Sequence, residues 1–165
     1  MRNAELMQAL VRELRRYLSQ YCFPSNTMID TAPRVYWHSL PDYQDEEPYP
    51  FVVCRLFDSE LEEFKAECKV TETIVLGLGV YSRSGTDEVG NILSDLYDAV
   101  LTWLHATRLL ANKFQRVYPV KTQVAEPDRR WSDYHMVTIV TTWDYIVPVT
   151  PLYENGKTFM EEDYY

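Results

Sequence analysis

The run from Lys69 to Leu110 constrains the fold more than any other part of this chain. Lys69–Ser82 (KVTETIVLGLGVYS) alternates and is rich in β-branched residues, the pattern of a strand. Arg83, Ser84, Gly85 and Thr86 follow, and then Asp87–Leu110 (DEVGNILSDLYDAVLTWLHATRLL). There Val89, Ile92, Leu93, Leu96, Tyr97, Val100, Leu101 and Leu104 recur at the helical period, so one apolar stripe runs along a long helix. Such a stripe needs a sheet to lie on, and strands before and after it supply one.

The other elements read as follows. Ala4–Tyr21 is a first helix with Leu6, Leu10, Leu14 and Tyr17 or Leu18 on one face, its three arginines toward the C-terminal end where they suit the helix dipole, and Phe23-Pro24-Ser25-Asn26 stopping it. Pro33–Leu40 is a short strand, and Pro41–Pro50 (PDYQDEEPYP) is an exposed acidic loop. Phe51–Phe57 (FVVCRLF) is a buried strand; Asp58–Glu67 (DSELEEFKAE) reads as a helical turn or a hairpin connection. Phe114–Val124 is a strand interrupted by Pro119, Ala125–Asp133 is a loop, and Tyr134–Val147 (YHMVTIVTTWDYIV) is the clearest strand. The last two strands pair antiparallel. The expectation is an α+β fold: a mostly antiparallel sheet packed by one long helix plus an N-terminal helix, in the order α-β-β-β-α-β-β. Residues 1–147 form a single domain, and 148–165 a C-terminal extension without periodicity that acts as an interaction arm.

Composition narrows the function. The formal net charge is −9, the wrong sign for a free-standing nucleic-acid binder or an anionic-membrane binder. No apolar run is long enough to span a bilayer, and the charged N-terminus is unlike a secretory signal. Cys22, Cys54 and Cys68 are odd in number and widely spaced, which suits a reduced, cytosolic state. The 13 tyrosines suit strands first and interfaces second.

Catalytic signatures are weak. Gly77-Leu78-Gly79 lies inside a strand rather than at a strand-to-helix turn, so it marks a bulge or a close approach and not a dinucleotide loop. The cysteines with His38, His105 and His135 have no short metal-ligand spacing. Asp42, Asp45, Glu46 and Glu47 lack the ligand spacing of a calcium loop and read as a solvated loop, which could still face an axial channel or a basic partner. No cofactor, metal or catalytic residue is expected, and the chain reads as a part that assembles. Two contact candidates stand out. Arg129-Arg130-Trp131 places interface-type residues at a loop tip in an acidic chain; Tyr153, Phe159, Tyr164 and Tyr165 make the extension aromatic.

With this order of elements, the chain resembles the tail terminator (tail completion) proteins of long-tailed bacteriophages. The resemblance rests on Pro50–Leu56 (PFVVCRL), on the strand into helix Ile74–Tyr97 (IVLGLGVYSRSGTDEVGNILSDLY) and on the closing strands around Trp131–Val147. It is one of pattern over Ala4–Val147; the long extension after Val147 departs from it. It implies a homo-oligomeric, typically hexameric ring at the head-proximal end of the virion tail, assembled in the host cytoplasm. Such a ring caps the tail tube protein and meets a neck or head-completion protein, each subunit adding its sheet edge or loops to a neighbour. DNA would pass through the lumen without specific binding, past carboxylates for which Asp42–Glu47 and Asp58–Glu63 are candidates. The alternatives are a neck or head-completion protein of the same virion and, in a different class, a cytosolic ligand-binding α+β domain.

Overall fold

The computed structural model describes residues 2–25, 29–38, 49–64, 66–81, 86–124, 134–148, 153–154 and 157–158. Two helices, α1 (Arg2–Leu18) and α2 (Thr86–Ala106), accompany a six-stranded sheet. Its strands are β1 (Arg34–Trp37), β2 (Phe51–Phe64), β3 (Glu67–Tyr81), β4 (Leu109–Leu110), β5 (Phe114–Val124) and β6 (Tyr134–Pro148), in the spatial order β1-β2-β3-β6-β5-β4. All neighbours pair antiparallel except β1 with β2, which run parallel. Two short strands, β7 (Tyr153–Glu154) and β8 (Lys157–Thr158), pair antiparallel on either side of Asn155-Gly156.

The expected α+β class and mostly antiparallel sheet are present, and β5 and β6 pair antiparallel. Two expectations need correction. Asp58–Glu67 is not a helical turn, because β2 continues through Phe64 and pairs with β3 residue by residue. The long helix ends at Ala106 rather than Leu110. Leu109 and Leu110 extend the apolar pattern, but they form β4, and Leu110 enters the core from the sheet.

Both helices contribute to one core on one face of the sheet. From α1, Leu6, Met7, Leu10, Leu14 and Leu18 are buried; from α2, Val89, Leu96, Val100, Trp103 and Leu104. They meet Val70, Ile74, Leu76, Leu78 and Val80 of β3, together with Val137, Ile139, Trp143 and Tyr145 of β6, the alternate residues that a pleated strand turns to a single side. Each such aliphatic side chain contributes about 1.5–3 kcal/mol by leaving water. Arg15 ties α1 to the sheet, its Nη2 donating to the Val35 carbonyl at 2.8 Å.

Gly77 and Gly79 sit in unbroken register with Val53 and Phe51. No bulge occurs there; the reason for glycine is close approach. A Cβ at Gly79 would lie 2.3 Å from Phe51 Cε1, and one at Gly77 would lie 3.1 Å from Val53 Cγ1.

Candidate assembly surfaces

The two ends of the sheet differ from its centre. At one end β1 pairs only with Phe51–Cys54 of β2. Beyond the bulge at Phe57, Asp58–Phe64 hydrogen-bonds β3 on its inner side, and no strand pairs with its outer side among the described residues. This edge is exposed throughout and carries Asp58, Glu60, Glu62 and Glu63. It also holds Phe57, Leu61 and Phe64, which are 77%, 62% and 52% exposed. The Ser59 N–H donates to Asp58 Oδ1 at 2.9 Å, turned away from β3. The two-residue repeat of an antiparallel ladder turns the backbone groups of Leu61 and Glu63 outward as well. Free strand edges with apolar side chains are templates for pairing with another chain, and carboxylates restrict which chain that can be.

At the other end, β4 covers only Phe114 and Gln115 of β5. The β5–β6 register jumps between Val117 and Lys121, so the interruption expected at Pro119 is a break in the ladder in which three residues of β5 face one of β6, after which Lys121–Val124 resumes regular pairing with β6. Lys121, Thr122 and Gln123 are exposed.

A row of residues, buried except at its Ser59 end, crosses the sheet between these ends. The register places Ser59, Glu72, Trp143 and Arg116 side by side on β2, β3, β6 and β5. Glu72, Trp143 and Arg116 are buried on the helix side. The Tyr145 hydroxyl donates to Glu72 Oε1 at 2.8 Å, while Oε2 has no hydrogen-bond partner among the described residues. Burial pushes the Glu72 carboxyl above its ordinary range; the Tyr145 hydroxyl, with Ser59, pulls it partly back. Beside it the Trp143 Nε1–H donates to Thr141 Oγ1, which itself donates to the Ile74 carbonyl, both at 2.9 Å. This row is part of the core rather than a cleft.

A shallow groove of about 290 Å³ lies between α2 and the sheet, lined by Gly90, Leu93, Ser94, Tyr97, Thr122 and Val137. Tyr97 and Thr122 join their hydroxyls across it at 2.8 Å. Its polar side chains are three hydroxyls, with no carboxylate, imidazole or ammonium among the lining residues. Of the cysteines, Cys22 is exposed and Cys54 and Cys68 are buried. Burial pushes the Cys54 thiol up to about 12, against a smaller opposing pull from Arg15, so it stays protonated at neutral pH and is a poor nucleophile or ligand. Among the described residues no group of three His, Cys, Asp or Glu gathers as a metal site, and no helix is long and apolar enough to cross a membrane.

The contact and lumen candidates Arg129, Arg130, Trp131, Phe159, Tyr164, Tyr165, Asp42, Asp45, Glu46 and Glu47 lie outside the described residues. Tyr153 is placed by its backbone alone, in β7. Of the acidic segments, Asp58–Glu63 is described, and it forms the outer edge of β2, which no other strand pairs among the described residues. Sequence reasoning missed Glu72 and Arg116. The available signal was Glu72 in an inward phase with Val70 and Ile74. Comparison with protein-family models and with the curated proteins gives no match to this chain.

Proposed function

We propose that this chain is a structural virion protein, a tail terminator that forms a ring, caps the tail tube at its head-proximal end and presents a surface to the neck. The observation that carries the reading is the outer edge of β2, a long acidic strand edge with exposed Phe57, Leu61 and Phe64 that pairs with nothing else among the described residues. An isolated monomer gains nothing from such an edge, whereas a subunit that adds its sheet to another finds backbone donors and acceptors already aligned. The pattern of elements that resembles tail terminators supports the same role. The net charge of −9 suits a ring whose lumen repels the phosphates of passing DNA.

In this role the work is geometric. One face of the ring matches the last layer of the tube, the other does not propagate it, and growth stops. Arg129, Arg130, Trp131 and the extension 148–165 supply further contacts between subunits or to the neck.

The test adds purified protein to growing tail tubes and measures tube length, with electron microscopy locating the bound protein. The expected outcome is tubes arrested at the length present on addition, with a ring at one end. Removal of residues 149–165, or Arg129→Ala with Arg130→Ala, weakens capping while circular dichroism is unchanged. Tubes that grow on unaffected, with protein bound at the portal side alone, would assign the chain to the neck instead. Tubes with no protein at either end would end the reading.

A further inference from the structure

We infer that two copies of this chain join head to tail through their sheets, the acidic outer edge of β2 in one copy pairing antiparallel with the basic outer edge of β5 in the next. The inference deepens the ring-forming role proposed above by naming the surfaces that meet, and it rests on that role only for its biological meaning.

Three observations lead to it. The first is charge. Asp58–Phe64 (DSELEEF), the outer part of β2, contains four acidic residues and no basic one. Residues 107–124, which hold β4 and β5, contain Arg108, Lys113, Arg116 and Lys121 and no acidic residue, in a chain whose net charge is −9. The sheet therefore ends in opposite charges. Lys113 is held by Glu5 at 2.9 Å and Arg116 is buried, so Lys121 is the cation exposed on the outer part of β5 itself.

The second is strand direction. Successive antiparallel pairings from β2 through β3 and β6 to β5 leave β2 and β5 antiparallel to each other. A second copy rotated into place with its strands in the same sense presents β5 antiparallel to the first copy's β2. This is the relation that repeats around a closed ring. The third is that, among the described residues, no strand pairs with the distal part of either edge: the pairing of β1 ends at Cys54, and β4 with the residue before it reaches only as far as Arg116. The break in the ladder around Pro119 leaves Lys121–Val124 as the regular stretch to meet Asp58–Phe64, whose backbone groups at Ser59, Leu61 and Glu63 point outward.

The self-complementary arrangement is disfavoured. Pairing β2 with a second β2 would line up Asp58, Glu60, Glu62 and Glu63 against the same residues, and like charges across a strand pair repel. Pairing with β5 instead puts carboxylates beside Lys121 while covering Phe57, Leu61 and Phe64.

The experiment uses the full chain and follows self-association by light scattering and sedimentation at low and high salt. Wild-type protein should associate, more strongly at low salt. Glu60→Lys with Glu63→Lys, chosen because Glu62 faces Lys69 across β2–β3, should weaken association about tenfold. Lys121→Glu alone should weaken it as well. Mixing the two variants should restore it, since every interface between them then joins opposite charges. In the assembled protein, amides of Asp58–Phe64 and Lys121–Val124 should gain protection from hydrogen exchange together. A strict monomer, an unaffected Lys121→Glu variant or a mixture that stays dissociated would each overturn the inference. The same proteins tested on tail tubes separate the two readings. Capping that is indifferent to the charge reversals removes the edge pairing and leaves the terminator role; charge-paired assembly without capping does the opposite.

Discussion

Replacing Gly79 by alanine should destabilise the fold, and the geometry says by how much. The new Cβ would lie 2.3 Å from Phe51 Cε1, 2.4 Å from Cζ and 3.0 Å from Cδ1. Carbon atoms in contact sit about 3.5–4.0 Å apart, so the ring must retreat by more than about 1 Å. Phe51 has little room to do so, being fully buried and tilted against the Tyr49 ring with centroids 5.1 Å apart. Overpacking of this kind costs about 1–3 kcal/mol. Loss of unfolded-state freedom on replacing a glycine returns about 0.4–1 kcal/mol. The net expectation is a loss of about 1–2 kcal/mol, read as a lower urea midpoint at unchanged slope.

Leucine at position 51 lacks the two ring atoms that clash. Phe51→Leu alone should destabilise by leaving space, but in its background Gly79→Ala should cost little, a coupling of about 1 kcal/mol or more in a double-mutant cycle. Gly77→Ala is the control, because its Cβ would meet the Val53 Cγ1 methyl at 3.1 Å and the Val53 carbonyl oxygen at an ordinary 4.0 Å. If Gly79→Ala is as stable as wild type, or costs the same with leucine at position 51, close approach is not why this strand carries glycine.

Two further outcomes are expected from single sites. Burial raises the Glu72 carboxyl, so between its ordinary value and its raised one the folded chain keeps a proton that the unfolded chain has released, and stability falls as pH rises through that window. Glu72→Gln should therefore gain stability relative to wild type as pH climbs, measured by urea unfolding across a pH series; a difference that does not change with pH would show the carboxyl to be solvated. The three-residue link between the paired Leu110 and Phe114 has Ala111 and Asn112 at φ 51° and 54°, closed by the Lys113 N–H donating to the Leu110 carbonyl at 3.1 Å, a turn with both central residues in the left-handed region, as in type I′. Alanine is strained there and asparagine is not, so Ala111→Asn should stabilise by about 0.5–1 kcal/mol in the same assay, and a loss would contradict the turn assignment.

Which parts of this fold could be read from the sequence follows from what hydrophobic period reports, namely burial. α2, β3 and β6 were legible because each turns one face into the core: Val89, Leu96 and Val100 at helical spacing, Val70, Ile74 and Leu76 at strand spacing. The outer half of β2 was not, because Phe57–Phe64 is exposed on both faces and is a strand only through its ladder with β3. No side-chain pattern encodes a strand that is held by backbone groups on one side and meets no other described strand on the other. The helix end was misread for the converse reason, since Leu110 is buried from β4 and so mimics one more turn of the stripe. Glu72 was missed because Thr71-Glu72-Thr73 reads as a polar interval, although its phase turns it inward beside Trp143.

The same limit bears on assembly. Loop and tail residues were singled out as contacts by residue type, Arg and Trp at 129–131 and the aromatic extension, whereas the edge of β2 has the composition of a solvated turn and becomes a candidate surface only once its pairing is known. A strand edge binds through backbone groups that every residue carries, so its partner is selected by the charges that flank it. In this chain those charges are negative at β2 and positive at β5. That is why reversing Lys121, on the opposite end of the sheet, is a sharper probe of the β2 edge than any change within β2 itself.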